Sequence, residues 1–214
     1  MDYSKPTLLV ISGPNGAGKS TYIQSMLPKE FEGISSFNRD EIRVQFERHL
    51  VEQGIPKIDR LRNATAMMES QLVDEMKDAI AKQEHFVLET PLSDPYYWTY
   101  LNLFEDAGYH VQINYLCLDT IEHCKARVQQ RISEGGHAVA PETIKGVYNM
   151  NLLHINSQIA SFKRLEFYDG TIIPTMLCAI EDNQVEYFSL EALKKKWIRN
   201  GLPAIHSLLK DAKL

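Results

Sequence analysis

The amino-acid sequence predicts an α/β fold, a three-layer α/β/α sandwich with a mostly parallel central sheet and a helical lid. Three observations predict it. The segment Thr7–Ser12 is a short apolar run that stops at Gly-Pro, which is typical of a strand buried on both faces of a parallel sheet. Similar runs alternate with stretches of helical periodicity, and this alternation indicates a sandwich of helices and sheet. A glycine-rich segment joins the first strand to the first helical stretch.

Each further element follows from its local pattern. A helical pattern resumes immediately after Gly18, and a short run at residues 34–37 is a candidate second strand. Residues 60–82 repeat apolar side chains at helical spacing, which predicts a long amphipathic helix. The other predicted elements are a helix at 40–50, strands at 86–88 and 111–118, a helix at 121–132 capped by Asp119 or Thr120, a helix that begins at Pro141, a strand hairpin at 174–189 around Asp182-Asn183, and a helical segment at 190–212 interrupted by Gly201-Leu202-Pro203.

Length and charge restrict the organisation and the partners. A chain of 214 residues suits one domain, so we expect residues 1–214 to form a single unit, with a lid at about 127–145 and a C-terminal hairpin and helices at about 174–212. The 23 basic and 28 acidic residues leave a formal net charge of −5. This balance provides no basic field of the kind that attracts nucleic acid, and it disfavours a nucleic-acid partner.

Cysteine usage and hydropathy suggest a compartment. The chain has three cysteines and no CxxC pair, which predicts neither a disulfide framework nor a thiolate zinc site and favours a reducing environment. Residues 1–5 are polar and lack a signal-peptide pattern. No stretch approaches the ~18 apolar residues that a membrane span needs. We therefore expect a cytoplasmic protein without a membrane partner.

The sequence GPNGAGKS at residues 13–20 matches the pattern GxxxxGK[ST] between a predicted strand and a predicted helix, the context in which this loop binds nucleotide phosphates. Its glycines let consecutive backbone N–H groups point inward at a phosphate. We expect Lys19 to neutralise the β- and γ-phosphates of ATP, Ser20 to supply a hydroxyl to Mg²⁺, and Thr21 to assist at the α-phosphate. The predicted nucleotide-binding residues are Gly13, Pro14, Asn15, Gly16, Ala17, Gly18, Lys19, Ser20 and Thr21.

Two acidic residues downstream of the loop favour transfer to an acceptor. Asp40 follows the candidate second strand, a position that predicts the carboxyl edge of the sheet, and there it can orient an acceptor hydroxyl and take its proton. Glu89 ends the next apolar run, where it can bind Mg²⁺ through water or a substrate hydroxyl. With Glu89, the nearby Asn38 and Thr90 complete the predicted acceptor-binding set. The structural alternatives are a helix N-cap for Asp40 and a solvated strand-end charge for Glu89.

Arg127 and Arg131 are four residues apart, so they share one face of a helix just before Gly135-Gly136, a candidate hinge for the lid. Two guanidinium groups on a lid can clamp the ATP phosphates and spread the charge of the transferring phosphoryl group. An exposed pair bridged to Glu134 is the structural alternative. Weaker candidates near the same lid are His137 and Lys145.

Two other patterns are interpreted as structural. The aromatic residues Tyr96, Tyr97 and Trp98 could stack on a base or a sugar, but packing is the favoured interpretation. The short basic run at residues 194–196 is interpreted as a solvated helix face.

Together these motifs resemble the zeta-toxin-like family of P-loop kinases over roughly residues 5–165. The resemblance rests on GPNGAGKST at residues 13–21, NRDEI around Asp40, the LET strand end at Glu89, and RVQQRISEGGHAV at residues 127–139. It implies an ATP-dependent kinase that phosphorylates a nucleotide sugar, typically UDP-N-acetylglucosamine, and it raises the prospect of an antitoxin partner. The functional set that the resemblance implies is Lys19, Asp40, Glu89, Arg127 and Arg131.

The chain departs from this family after the lid, and other functions remain open. Where relatives often have an arginine followed by tyrosine, this sequence has Lys145-Gly146-Val147-Tyr148, and lysine keeps the charge without the bidentate fork of arginine. The alternatives to a small-molecule kinase are an ATP-binding regulatory module that controls a protein partner and a polynucleotide kinase, which needs a positively charged channel for the strand.

Overall fold

The computed structural model describes residues 1–136 and 138–213. In this part of the chain, seven strands form one sheet in the order β2-β3-β1-β4-β5-β6-β7. The strands are β1 (Thr7–Ser12), β2 (Phe37–Asn38), β3 (Phe86–Glu89), β4 (His110–Cys117), β5 (Arg164–Asp169), β6 (Thr175–Glu181) and β7 (Gln184–Phe188). The five strands from β2 to β5 in this order are parallel, and β6 and β7 are antiparallel.

The helices surround the sheet. They are α1 (Lys19–Tyr22), α2 (Arg39–Glu52), α3 (Lys57–Lys82), α4 (Trp98–Asp106), α5 (Ile121–Ser133), α6 (Pro141–Ser157), α7 (Lys196–Gly201) and α8 (Pro203–Asp211). The predicted helices differ from these mainly at their ends, and the C-terminal segment breaks at Leu202 as predicted. Helix α1 is a single turn that continues as a 3₁₀ turn at Ile23–Met26.

Strand β1 pairs with β3 and β4 along its two edges, and both of its faces are buried because a core cluster packs against each side of the sheet. Alternate residues of a strand point to opposite faces. Leu8 and Val10 belong to the larger core cluster, which also contains buried residues of α3, α4 and α6. Leu9 and Ile11 belong to a smaller cluster with side chains of residues 23–31. The predicted α/β sandwich with a mostly parallel sheet is confirmed, with layers of unequal thickness.

One predicted strand needs correction, and one observed strand was not predicted. The strand predicted at 34–37 is wrong in position, since β2 is Phe37–Asn38 and Asp40 is the second residue of α2. Strand β5 was not predicted at all. In its sequence RLEFYD, apolar residues alternate with charged ones, and the charged side chains of Arg164 and Glu166 pair with each other while Arg164 also pairs with Glu181 on β6. A strand whose polar face is satisfied by such a network lacks the continuous apolar run used to find the others.

The C-terminal elements combine a confirmed and a wrong prediction. The hairpin of β6 and β7 turns at Asp182 and Asn183, which both have positive φ (49° and 62°), as a tight hairpin turn requires. The interpretation of residues 194–196 as a solvated face is wrong for Lys195, whose side chain is only 15% exposed and forms ion pairs with Asp119 and Asp169. Across the described residues, no helix combines the length and the apolar character needed to span a membrane.

Candidate active site

The phosphate-binding loop connects β1 to α1 and can be built only with glycine at two positions. Gly13 and Gly16 have positive φ (145° and 82°), and a Cβ on either would clash with a backbone carbonyl, that of Leu116 or of Cys124 respectively. The ammonium group of Lys19 donates hydrogen bonds to the carbonyl oxygens of Gly13 (2.9 Å) and Pro14 (3.2 Å). The glycines therefore let the loop pass close to β4 and α5, and the ammonium group of Lys19 is held against the loop.

Glu89, at the end of β3, lies directly beside the loop. The Ser20 hydroxyl donates to Glu89 Oε1 (2.7 Å), and the Asn38 amide donates to Glu89 Oε2 (2.9 Å) and to Ser20 Oγ (3.3 Å). The parallel pairing of β2 with β3 sets Asn38 opposite Glu89, which explains this contact. Burial raises the pKa of Glu89 above its ordinary value, and the nearby charge of Asp40 acts in the same direction, while Lys19 and the hydrogen bond from Ser20 oppose the shift. Glu89 is buried, so the alternative of a solvated strand-end charge is wrong.

Asp40 lies in the first turn of α2, and it lines a small cavity together with Glu89 and Lys19. Its side chain is 68% exposed, and one carboxylate oxygen is 3.8 Å from an Arg43 guanidinium nitrogen. The N-cap of α2 is Asn38, whose side-chain oxygen accepts from the Glu41 backbone N–H (3.1 Å). The alternative of an N-cap role for Asp40 is therefore wrong, and its carboxylate is left facing the cavity described below.

A buried cluster around Arg39 supports this end of α2, and sequence reasoning missed it. The Arg39 guanidinium forms an ion pair with Glu69 of α3, lies 4.0 Å from the centre of the Tyr97 ring, and donates to Thr90 Oγ1 (3.2 Å). Tyr100 donates its hydroxyl proton to the same Glu69. Tyr97 thus packs on a protein cation, as the structural interpretation of the aromatic cluster predicted. Thr90 is buried and its hydroxyl also donates to the Pro91 carbonyl.

Helix α5 brings its two arginines to the opposite side of the loop. Arg127 donates to the carbonyl oxygens of Ala17 (3.3 Å) and Thr171 (2.7 Å), and Arg131 lines the same cavity one turn later. The helix ends at Ser133 and is followed by Gly135 with φ 86°. The weaker lid candidate His137 lies outside the described residues, and Lys145 is exposed on α6.

One cavity of about 720 Å³ gathers these side chains. Its lining includes the predicted residues Asn15, Gly16, Gly18, Lys19, Ser20, Thr21, Asn38, Asp40, Glu89, Arg127 and Arg131. Gly13 and Thr90 line a small adjoining cavity together with Lys19, Asp40 and Glu89. Asp40, Glu89, Arg127 and Arg131 therefore line one cavity together with residues of the glycine-rich loop.

The cavity has further lining residues that the sequence analysis did not identify. Val44 and Arg48 lie on α2 and line both this cavity and a neighbouring one of about 820 Å³. A signal was present, because Asp40, Val44 and Arg48 recur every four residues and therefore share one helix face. The predicted helix at 40–50 already contained all three residues, but only Asp40 was considered as a candidate site residue.

The donor set near the loop suits a hard cation and a nucleotide. Within the described ranges, no group of three or more His, Cys, Asp or Glu side chains is arranged to hold a metal ion by itself. The Ser20 hydroxyl and the Glu89 carboxylate are adjacent oxygen ligands of the kind that Mg²⁺ takes alongside substrate phosphates. The glycine cradle, Lys19 and the arginines fit a triphosphate.

The chain is similar in sequence to a known protein and similar in structure to several solved proteins. The chain is 27% identical over 137 residues to an uncharacterized protein of Haemophilus influenzae, an overlap of 64% of this chain and 88% of that protein. A solved chain from the PezAT chromosomal toxin-antitoxin system of Streptococcus pneumoniae matches 98% of this chain and 88% of its own length, with a TM-score of 0.65 and 18% identity.

A second solved structure, that of AvrRxo1-ORF1:-ORF2 with ATP, matches 89% of this chain with a TM-score of 0.68 and 16% identity, and this chain spans 63% of the length of the matched one. At these identities the two likenesses show only the fold, which is the α/β fold of P-loop NTPases. A family model described as an AAA domain (AAA_33) matches residues 8–147, more than half of the 214 residues. The chain therefore belongs to this AAA domain family of P-loop proteins.

Proposed function

We propose that the protein is a kinase that uses ATP and Mg²⁺ to phosphorylate a hydroxyl group of a small molecule. The observation that supports this proposal is the 720 Å³ cavity, in which the phosphate loop faces Asp40 and Glu89 on one side and Arg127 and Arg131 on the other. Phosphoryl transfer consists mainly of positioning and charge stabilisation, and this arrangement offers both.

Each group has a role in the proposed reaction. The acceptor hydroxyl oxygen forms a bond to the γ-phosphorus of ATP, the bond from that phosphorus to the β,γ-bridging oxygen breaks, and ADP leaves. Asp40 accepts the proton of the hydroxyl, which its exposed position at the cavity allows. Lys19, Arg127 and Arg131 stabilise the negative charge on the phosphates.

The residues that would hold Mg²⁺ are Ser20, through its hydroxyl, and Glu89, through the water shell of the ion. When bound, the cation neutralises phosphate charge. Asn38 holds Glu89 in place through its amide (2.9 Å), so its function in the proposed site is to orient this carboxylate as well as to contact the acceptor. Thr90, whose hydroxyl accepts a hydrogen bond from Arg39, lines the small adjoining cavity together with Glu89.

The acceptor side is the second cavity, of about 820 Å³, which shares Asp40, Val44 and Arg48 with the first. Asp40 therefore lies where the two cavities meet, between donor and acceptor. The basic side chains of the second cavity are Arg43, Arg48, Lys57 and Arg60, and its acidic ones are Asp40 and Glu47. This excess of positive charge in a protein of net charge −5 favours an anionic acceptor.

A nucleotide sugar such as UDP-N-acetylglucosamine meets this requirement, and the resemblance to zeta-toxin-like kinases suggested the same molecule. We further propose a single domain with a lid at about residues 127–145 and a cytoplasmic location. Because PezAT is a toxin-antitoxin system, we include an antitoxin among the proposed partners.

The test combines labelled ATP with a panel of acceptors. Purified protein, Mg²⁺ and γ-labelled ATP should label UDP-N-acetylglucosamine or another small anionic alcohol. Neutral N-acetylglucosamine, which lacks the charge, and a 5′-hydroxyl oligonucleotide, which is a polymer, should remain unlabelled. Asp40→Asn should lower the transfer rate about 10²- to 10⁴-fold while ATP binding is retained. The matched control is Glu52→Gln, an exposed carboxylate at the other end of α2.

A folded protein that binds ATP but labels no acceptor across a broad metabolite extract would reject the kinase assignment. Nucleotide-dependent retention of a protein would then favour a regulatory module.

A further inference from the structure

The C-terminal part of the chain, beyond the region matched by the family model, reaches the nucleotide site through Lys195. Its ammonium nitrogen lies 2.6 Å from Asp169 Oδ2 and 3.0 Å from Asp119 Oδ1. Asp169 ends β5, and Asp119 lies two residues after β4. These carboxyl ends of parallel strands are at the edge of the sheet where the phosphate loop follows β1. Lys195 therefore joins the segment before α7 to this edge.

The carboxylate of Asp169 also binds the loop that follows β5, so it connects Lys195 to that loop. Asp169 Oδ1 accepts hydrogen bonds from the Thr171 backbone N–H (3.0 Å) and from the Thr171 hydroxyl (2.6 Å). The carbonyl oxygen of Thr171 in turn accepts from Arg127 Nη2 (2.7 Å), and Arg127 Nη1 donates to Ala17 in the phosphate loop (3.3 Å). A continuous chain of contacts thus links Lys195 to Arg127.

The same loop has two further attachments near the site. The Gly170 N–H donates to the Cys117 carbonyl at the end of β4 (2.9 Å), and the Tyr22 hydroxyl donates to the Ile172 carbonyl (3.2 Å). The backbone at residues 170–172 therefore contacts β4, α5 and the end of α1. Its position determines where the Arg127 guanidinium can lie.

The electrostatic environment favours the charged forms of both Lys195 and Asp169. Burial by itself would lower the pKa of Lys195, but hydrogen bonds with Asp169 and Asp119 raise it above its ordinary value. Burial would also raise the pKa of Asp169, yet hydrogen bonds from Lys195 and Thr171 hold it below its ordinary value. Removal of Lys195 would leave the carboxylate of Asp169 partly buried without its cation, and such a group reorganises toward water.

We propose that Lys195 is a positioning residue for nucleotide binding, which holds the loop at residues 169–172 so that its Thr171 carbonyl fixes Arg127 against the phosphate loop. This inference rests on the proposed function, since it assumes that ATP binds at this loop. It assigns a role in the site to the C-terminal segment.

The segment has separate anchors, so Lys195 can be changed without releasing it. Ala192, Trp197 and Ile198 are buried in the main core on either side of Lys195. We therefore expect Lys195→Met to fold, with its apolar stem retained. Lys194→Met is the matched control, because Lys194 is 70% exposed and its ion pair is with Glu191, three residues away on the same segment.

The experiment measures the affinity for a fluorescent ATP analogue carrying a methylanthraniloyl group, with Mg²⁺, in the full chain. Lys195→Met should weaken binding about three- to tenfold, the range expected for the loss of one hydrogen bond, and Lys194→Met should leave it unchanged. Lys195→Arg should restore most of the affinity, since it keeps the cation. Arg127→Ala should weaken binding more, and Lys195→Met should add nothing further in the Arg127→Ala background.

Each result has one meaning. Additive losses in the double variant, or unchanged affinity in Lys195→Met with a lowered melting temperature, would show a purely structural role and overturn the inference. If the unmodified protein fails to bind the analogue, the proposed function falls with it. If the protein binds the analogue and Lys195→Met binds equally well, only the role of Lys195 is lost.

Discussion

The hydroxyl group of Ser20 donates a hydrogen bond of 2.7 Å to Oε1 of Glu89, although 69 positions separate the two residues in the chain. The parallel pairing of β1 with β3 creates this contact, because it aligns Ile11 with Glu89 at the edge where the phosphate loop begins. The pair unites an oxygen ligand from the loop with a buried carboxylate. In the proposed reaction, this pair is where Mg²⁺ would be held.

The first prediction concerns this pair. Glu89→Gln keeps the shape of the side chain but removes its charge, so we expect the transfer rate to fall about 10- to 100-fold and the Mg²⁺ concentration needed for half-maximal rate to rise. Rates measured across a Mg²⁺ titration test this. Glu84→Gln, an exposed carboxylate just before the same strand, is the control. Unchanged Mg²⁺ dependence in Glu89→Gln would show that this carboxylate plays no part in binding the ion.

The second prediction concerns the shape of the phosphate loop. Gly13→Ala adds a Cβ that clashes with the Leu116 carbonyl at a positive φ, so we expect ATP binding to be lost or the protein to be destabilised by more than 1 kcal/mol. Gly146→Ala is the matched control. Its Cβ meets no atom within 4 Å and Gly146 lies inside α6, so stability should rise by about 0.5–1 kcal/mol. ATP titration and urea unfolding of both variants provide the measurement. Normal ATP binding and stability in Gly13→Ala would contradict the described loop geometry.

The third prediction concerns the buried Arg39. Arg39→Met leaves Glu69 without its cation, and because Glu69 remains partly accessible to water we expect a loss of about 2–4 kcal/mol in the free energy of unfolding. Arg62→Met, on the exposed face of α3, should change stability by less than about 0.5 kcal/mol. Urea denaturation measures both.

A double variant separates the lost ion pair from lost packing. Arg39→Met combined with Glu69→Met should recover part of the stability, since no unpaired charge is left. If the loss in the double variant equals the sum of the two single losses, the ion pair contributes little and the contacts of Arg39 with the aromatic rings dominate instead.

The fourth prediction concerns the three cysteines, which are all buried as free thiols. Burial raises the pKa of Cys124 and Cys178 to about 12, and burial together with the nearby Cys124 raises the pKa of Cys117 further. In the unfolded chain these thiols ionise near pH 8.5–9. The unfolded state therefore loses protons that the folded state keeps, and stability should fall as pH rises above this range.

Two measurements check the behaviour of the thiols. Urea unfolding between pH 7.5 and 9.5 should give a decreasing free energy of unfolding, with a shallower decrease in Cys178→Ala. A thiol reagent such as dithionitrobenzoate should react slowly with the native protein at pH 8 and with three thiols after denaturation. Rapid titration of any thiol in the folded protein would contradict its described burial.

The sequence determined much of the site because its signals are local. The pattern at residues 13–20 specifies both the loop and its position between a strand and a helix. The spacing of Arg127 and Arg131 places them on one face of α5, and Asp182-Asn183 specifies the hairpin turn. Each of these depends on neighbours along the chain, so one sequence carries enough information to predict it.

Tertiary structure alone decided which distant groups meet. The alignment of Asn38 with Glu89 follows from strand pairing, and the ion pairs of Arg39 with Glu69 and of Lys195 with Asp169 join elements far apart in sequence. A charged residue has the same one-letter code in the sequence whether it becomes buried or stays exposed. Only the folded environment determines whether its charge is disfavoured by desolvation, stabilised by a partner or hydrated by water. For this reason Arg39 and Lys195, which the sequence did not distinguish from surface residues, acquire their buried ion-pair partners only through the fold.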